Sequence, residues 1–184
     1  RRAVAIGDPQ TSTERWFGAL AAHGLLGDDG WLQPDVRLTA MGDYFDYHVP
    51  ERDRARVEGL LLLGWLAAHA PAQVTLLAGN HDLARVMELA RVDDDRFRAA
   101  ADEGAAVAAL PRDRRAAGEA AFAARFPEVA TPGYAARDYN AFTVEQRALV
   151  QRLLLAGRFV LAATAPVRGA TALLTHAGVT RREL

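Results

Sequence analysis

The stretch Gln73-Val74-Thr75-Leu76-Leu77-Ala78-Gly79-Asn80-His81-Asp82 decides the fold. Gln73 to Ala78 is a short apolar run between Pro71 and Gly79, the length and composition of a buried strand that stops at a polar turn. The pattern occurs twice upstream. Ala3 to Ile6 runs into Gly7-Asp8-Pro9, and Val36 to Met41 runs into Gly42-Asp43. Helical signals fill the gaps. Thr11 to Thr13 can cap a helix carrying Trp16, Phe17, Leu20 and Ala21 and closing at Gly24. Glu51 to Ala70 reads as a long helix with the stripe Val57, Leu60, Leu61 and Trp65, halted before Pro71, and Leu83 to Ala90 reads as another. Strand, loop and helix in alternation indicate an α/β fold with a parallel sheet, whose carboxyl-end loops are the usual place for a site.

Outward from this core the texture changes. Between Arg91 and Asn140, Asp93-Asp94-Asp95, Arg112-Asp113-Arg114-Arg115 and alanine-rich stretches replace the alternation, which predicts a helical insertion over one sheet edge. Thr143 to Ala156 is a further amphipathic helix, followed by two apolar strands, Phe159 to Ala163 and Ala170 to Thr175, the second ending in His176-Ala177-Gly178. The chain is read as one domain over residues 1–184 with that insertion at about 91–140.

Composition narrows the chemistry. The 184 residues contain no cysteine, and all 22 cationic positions are arginine. This excludes thiolate metal sites, cysteine nucleophiles, Schiff-base lysines and a P-loop lysine. A net charge of −1 argues against a dedicated nucleic-acid binder. No apolar run reaches the roughly 18 residues of a membrane span, and Arg1-Arg2-Ala3 leads into a strand without a signal-peptide pattern, so a cytoplasmic protein is expected.

Asp8, Asp43, Asn80 and His176 each follow a predicted strand. Asp8 to Asp43 spans 35 residues and Asp43 to Asn80 spans 37, each about one strand–helix crossover, which would set three loops side by side along one sheet edge. Two carboxylates, a carboxamide and an imidazole, without sulfur, suit manganese, iron, zinc or magnesium. Two such ions sharing a carboxylate would activate a bridging water and clamp a phosphoryl group.

Gly7-Asp8-Pro9-Gln10, Gly42-Asp43-Tyr44-Phe45-Asp46, Gly79-Asn80-His81-Asp82 and His176-Ala177-Gly178-Val179 resemble, in order, the successive motifs of the calcineurin-like metallophosphoesterases. With Gly24-Leu25-Leu26-Gly27-Asp28-Asp29-Gly30-Trp31, they are most similar to the bacterial phosphoprotein-phosphatase branch, including Shewanella-like phosphatases. The resemblance implies a four-layer α/β/β/α sandwich, lacking its C-terminal strands, and a metal-dependent phosphoric-ester hydrolase with two divalent ions, manganese favoured. It implies Asp8 and Gln10 at the first metal, Asp43 as the bridge, and Asn80 and His176 at the second. It makes His81 the general acid, with Asp46, or Asp82, holding its imidazole. A phosphorylated protein or small molecule would be the substrate, attacked by a metal-bridging hydroxide. Nucleotide or dinucleoside polyphosphate hydrolysis, or a catalytically degenerate binding module of that fold, are the alternatives.

Three departures weaken the site that the resemblance implies. Gln10 stands where the family has histidine, Tyr47 stands where it has a phosphate-gripping arginine, and the final glycine–histidine pair does not occur up to Leu184. Arg85, or else Arg52 or Arg54, is the candidate replacement for the missing arginine. His48 is expected on the site's rim, His69 and His23 in core or capping roles, and Trp16, Trp31 and Trp65 in the core.

Overall fold

The structure, a computed structural model, describes residues 2–47 and 52–178. Four parallel strands form the principal sheet in the order β1 (Arg2–Ile6), β2 (Val36–Ala40), β3 (Val74–Leu77) and β4 (Phe159–Val160). Register is continuous from Val4 beside Leu38 to Leu38 beside Val74, then Leu76 beside Phe159. A second, antiparallel sheet is the hairpin β5 (Ala162–Val167) and β6 (Ala170–Thr175). The fold is therefore mixed α/β with one parallel and one antiparallel sheet.

The run Phe159 to Ala163, read from sequence as one strand, is two. The chain leaves the parallel sheet after Val160, and exposed Leu161 separates it from the hairpin. An unbroken apolar run carries no mark of where a strand changes sheets, so only pairing partners locate the break.

α1 (Thr13–Ala22) begins at Ser12, whose hydroxyl accepts from the Arg15 amide, and buries Trp16 and Leu20. α2 (Arg52–Ala68) buries Ala55, Glu58, Gly59, Leu62, Leu63 and Leu66, the 3–4 spacing of one helical face. The stripe expected from sequence is corrected: Val57 and Leu61 are exposed, while Leu60 and Trp65 are half-buried. Leu60 to Leu63 is apolar all round the helix, so periodicity alone could not choose the face. Glu58 sits on the inward face because its Oε1 accepts from the Thr13 hydroxyl at 3.0 Å and from Arg54 Nε at 3.2 Å.

α3 (Asn80–Ala84) starts earlier than the expected helix at 83–90 and places Asn80, His81 and Asp82 in its first turn; residues 85–91 are turns. α4 (Asp94–Ala108), α5 (Arg112–Arg125) and a π-helical turn at Tyr134–Asp138 follow, packing around Phe97, Phe122, Phe126 and Phe142. α6 (Val144–Leu155) is capped by Thr143, whose hydroxyl accepts from the Gln146 amide while Gln146 Oε1 accepts from the Thr143 amide. The main core lies between the parallel sheet and α1, α2 and α6, with Leu38, Phe45, Leu62, Leu66 and Leu76 at its centre. Each fully buried aliphatic side chain of this kind is worth about 1.5–3 kcal/mol. Trp16 is core, but Trp31 is 43% exposed, against the expectation of a core tryptophan. No helix among the described residues is long and apolar enough to cross a membrane.

Candidate functional site

The carboxyl ends of β1, β2 and β3 lie side by side because those strands are adjacent and parallel, and the loops carrying Asp8, Asp43 and Asn80 extend from them. The loops after β2 and β3 nearly touch. A Cβ on Gly42, whose φ is +93°, would lie 2.6 Å from the Gly79 nitrogen, and one on Gly79 would lie 2.1 Å from Asp43 Oδ1. Both positions therefore require glycine. Asp43 and Asp46 also have positive φ, 59° and 66°, an uncommon backbone state that aspartate tolerates better than most residues.

Asp82 ties these loops together. It is fully buried and accepts from the backbone amides of Gly79 at 2.9 Å, Asp43 at 2.9 Å and Tyr44 at 3.1 Å. Burial raises its pKa to about 6 against the opposing pull of those amides. Asp82 thus holds backbone, and the imidazole of His81 belongs to Asp46.

Asp46 Oδ2 lies 2.9 Å from His81 Nδ1 and 2.8 Å from Arg85 Nη2, and Oδ1 accepts from the Ala141 amide at 3.1 Å. Burial acts to lower the His81 pKa, but the hydrogen bond and charge of Asp46, with Asp43 behind it, raise it overall. Tyr139 stacks on the imidazole at 4.5 Å between ring centroids.

Arg85, expected as a substrate-binding cation, is instead wholly buried. Its Nη1 donates to the His81 carbonyl at 2.6 Å, Nε and Nη2 donate to Gln146 Oε1 at 3.2 Å, and the guanidinium lies 4.3 Å over the Phe45 ring. Its donors are spent inside the protein, which removes it as a ligand contact.

At the other end of the cluster, His176 Nδ1 lies 2.8 Å from the Met41 carbonyl and 3.5 Å from Asp8 Oδ1. Its Nε2 lies 3.0 Å from Asn80 Oδ1 and 3.4 Å from Asp43 Oδ2. Asp43 Oδ1 accepts from the His81 amide at 2.9 Å, and burial raises the Asp43 pKa. The structure brings Asp8, Asp43, Asn80 and His176 together, and His81 with Asp46. Gln10 and Tyr47 line a pocket together with Thr11, Ser12, Arg15 and Arg54. Arg52 pairs loosely with Asp102 at 3.9 Å, and His48 lies outside the described residues.

The metal reading does not survive this geometry. Among the described residues, no group of three or more His, Asp or Glu side chains is placed to hold a metal ion. The carboxylates are engaged otherwise: Asp82 with three backbone amides, Asp46 with His81 and Arg85, and Asp43 with the His81 amide and the His176 ring. A search among known proteins finds no matching family model, no matching curated protein and no matching solved structure. The likeness to calcineurin-like metallophosphoesterases is thus confined to short motifs. Membership of that family, two divalent ions with manganese favoured, a bridging hydroxide and phosphatase activity are all withdrawn, because the residues that would hold the metals do not form a metal-binding group.

Sequence reasoning missed Tyr139, Ala141 and Gln146, which shape the surroundings of His81 and Arg85. Tyr139 lies 58 residues beyond His81, Gln146 lies 61 beyond Arg85 and Ala141 lies 95 beyond Asp46, all in or just after a segment with no recognisable motif. No spacing rule connects them.

Proposed function

We propose that the protein binds a small polar ligand, without a metal, at the carboxyl ends of β1, β2 and β3, and that His81 is the group exchanging a hydrogen bond with it. The observation carrying this reading is the way His81 is held: its Nδ1 is fixed by buried Asp46 and its face by Tyr139, yet the side chain keeps 18% of its surface. Such preorganisation favours a binding or proton-exchanging group over a structural one. Among the described residues, the one guanidinium paired with any of Asp8, Asp43, Asp46 and Asp82 is that of Arg85, on Asp46. The edge therefore suits a ligand that donates hydrogen bonds or carries positive charge, ahead of the phosphorylated partner suggested by sequence.

The same reading treats residues 91–140 as a helical insertion in a single domain, there to deliver Tyr139 to His81. It also treats the two sheets as the inner layers of an α/β/β/α arrangement. A cavity lined jointly by Val4, Leu38 and Thr75 of the parallel sheet and Thr164, Pro166 and Leu174 of the hairpin supports that layering.

The test is a two-dimensional amide NMR screen of small amines, polyols and phosphate esters in the presence of a chelator. Shifts confined to Asp43, Asn80, His81 and His176, and lost in both His81→Ala and Asp43→Asn, are expected. No such shifts from any compound, or shifts unchanged in these variants, would overturn the reading.

A further inference from the structure

The pocket holding Gln10 and Tyr47 has a chemistry opposite to that of the acidic edge. It is a cavity of about 300 Å³ lined by Gln10, Thr11, Ser12, Arg15, Tyr47 and Arg54, with Glu14 on the same wall. Two guanidiniums and one carboxylate line it, Arg54 also pairing with Glu58, and the remaining lining side chains are amide or hydroxyl bearers. Ser12 is the N-cap of α1, a helix of ten residues, so the pocket opens at the positive end of that helix. The Ser12 hydroxyl serves the Arg15 amide, and the Thr13 and Glu14 amides have no partner among the described residues.

A second feature points to a ligand independently of the helix. Tyr47, a wall of this pocket, is only 6% exposed, and its hydroxyl has no hydrogen-bond partner among the described residues. A buried hydroxyl left unpaired is costly, and since this oxygen is itself enclosed, a small shift of the ring would bring it to a ligand's acceptor and remove that cost. Arg54 is held by its Nε to Glu58, a side chain only 10% exposed, which orients the guanidinium at the pocket without using its terminal nitrogens in that contact.

We infer that this pocket is an oxyanion site: it takes the phosphate, sulfate or carboxylate group of a small molecule between Arg15, Arg54 and Tyr47 at the amino end of α1. The inference stands apart from the polar-ligand reading of the His81 edge, since the two sites share no lining side chain and attract opposite charge. Arginine's planar fork matches all three oxyanions, so the choice among them is left to measurement.

The test titrates the whole chain with inorganic phosphate, sulfate and succinate separately, at constant ionic strength, following the amide resonances of Thr13, Glu14 and Tyr47 by NMR. Saturable binding is expected, and the tightest of the three probes identifies the class of oxyanion. Arg15→Gln and Arg54→Gln should each weaken it by at least about fivefold. Arg98→Gln, which removes an exposed cation of α4, should leave it unchanged. Tyr47→Phe supplies a signature that loss of folding cannot mimic: the variant should melt no lower than the parent without anion, yet bind the anion more weakly. Non-saturable shifts, or equal weakening by Arg98→Gln and Arg15→Gln, would show charge screening alone and overturn the inference. So would Tyr47→Phe binding as tightly as the parent.

Discussion

Each end of the parallel sheet holds a histidine, and the two are pushed in opposite directions. At the carboxyl ends, His81 sits beside buried Asp46 and its pKa rises. At the amino ends of β2 and β3, His69 lies between Trp31 and Trp65, with ring centroids 4.8 and 4.5 Å away, and burial lowers its pKa. His69 Nδ1 donates to the Trp65 carbonyl at 2.9 Å, and Nε2 accepts from the Leu32 amide at 3.4 Å. That pair of contacts requires a neutral ring. One end of the sheet thus uses a histidine to complete a core, and the other keeps one ready to carry a proton. The difference lies in the partner and not in the residue.

The comparison breaks most severely at Arg85. Arg85→Leu leaves Asp46 buried without its permanent cation, and denaturant unfolding should register a loss of about 3–5 kcal/mol. If Arg85→Leu instead costs less than about 1 kcal/mol, the carboxyl-end network does not depend on that charge. Asp82→Ala should be next. It strips acceptors from three loop amides, each about 1–3 kcal/mol if left unpaired, with partial relief from water that enters. Its amide-exchange rates at Gly79, Asp43 and Tyr44 should rise together, and unchanged protection at all three would contradict the role given to Asp82.

The amino end is tested by acid. Because the folded pKa of His69 is depressed below the ordinary 6.5, its contribution to stability is present above that value. It is lost as the pH falls through the lowered folded pKa. His69→Gln should therefore show a shallower fall in melting temperature than the parent as the pH is taken downward from 6.5, and equal slopes would refute the assignment. The smallest effect is expected at Tyr139→Leu, which loses the stack on His81, worth about 0.5–1.5 kcal/mol beyond burial. A melting temperature matching the parent's would show that the stack does not steady His81.

Much of the fold was legible because local signals and tertiary demands coincide in the first ninety residues. The runs ending at Ile6, Ala40 and Leu77 are short and closed by glycine, and all three pair as parallel strands. β2 and β3 are buried as expected, but β1, at the sheet edge, has no fully buried residue, which corrects the reading of it as a buried strand. Reading failed where the chain is uniformly apolar, as at Leu60 to Leu63 and at Phe159 to Ala163, since neither a helix face nor a change of sheet leaves a mark in such a run. At the candidate site, residue types and neighbourhood were readable, but function was not. Asp8, Asp43, Asn80 and His176 do converge, yet a metal site depends on where carboxylate oxygens point and on which donors already occupy them.

The sequence by itself determined a cysteine- and lysine-free α/β chain with polar residues following three successive strands, because strand length, glycine punctuation and helix capping are local properties. Only the tertiary structure decided that Arg85 is an internal counter-charge, that Asp82 binds backbone, that Tyr139 covers His81 and that Tyr47 faces an arginine-lined pocket. Each of these depends on partners dozens of residues away. Burial and charge pairing act through space, so the chemistry of an aspartate or arginine is set by what the fold places against it.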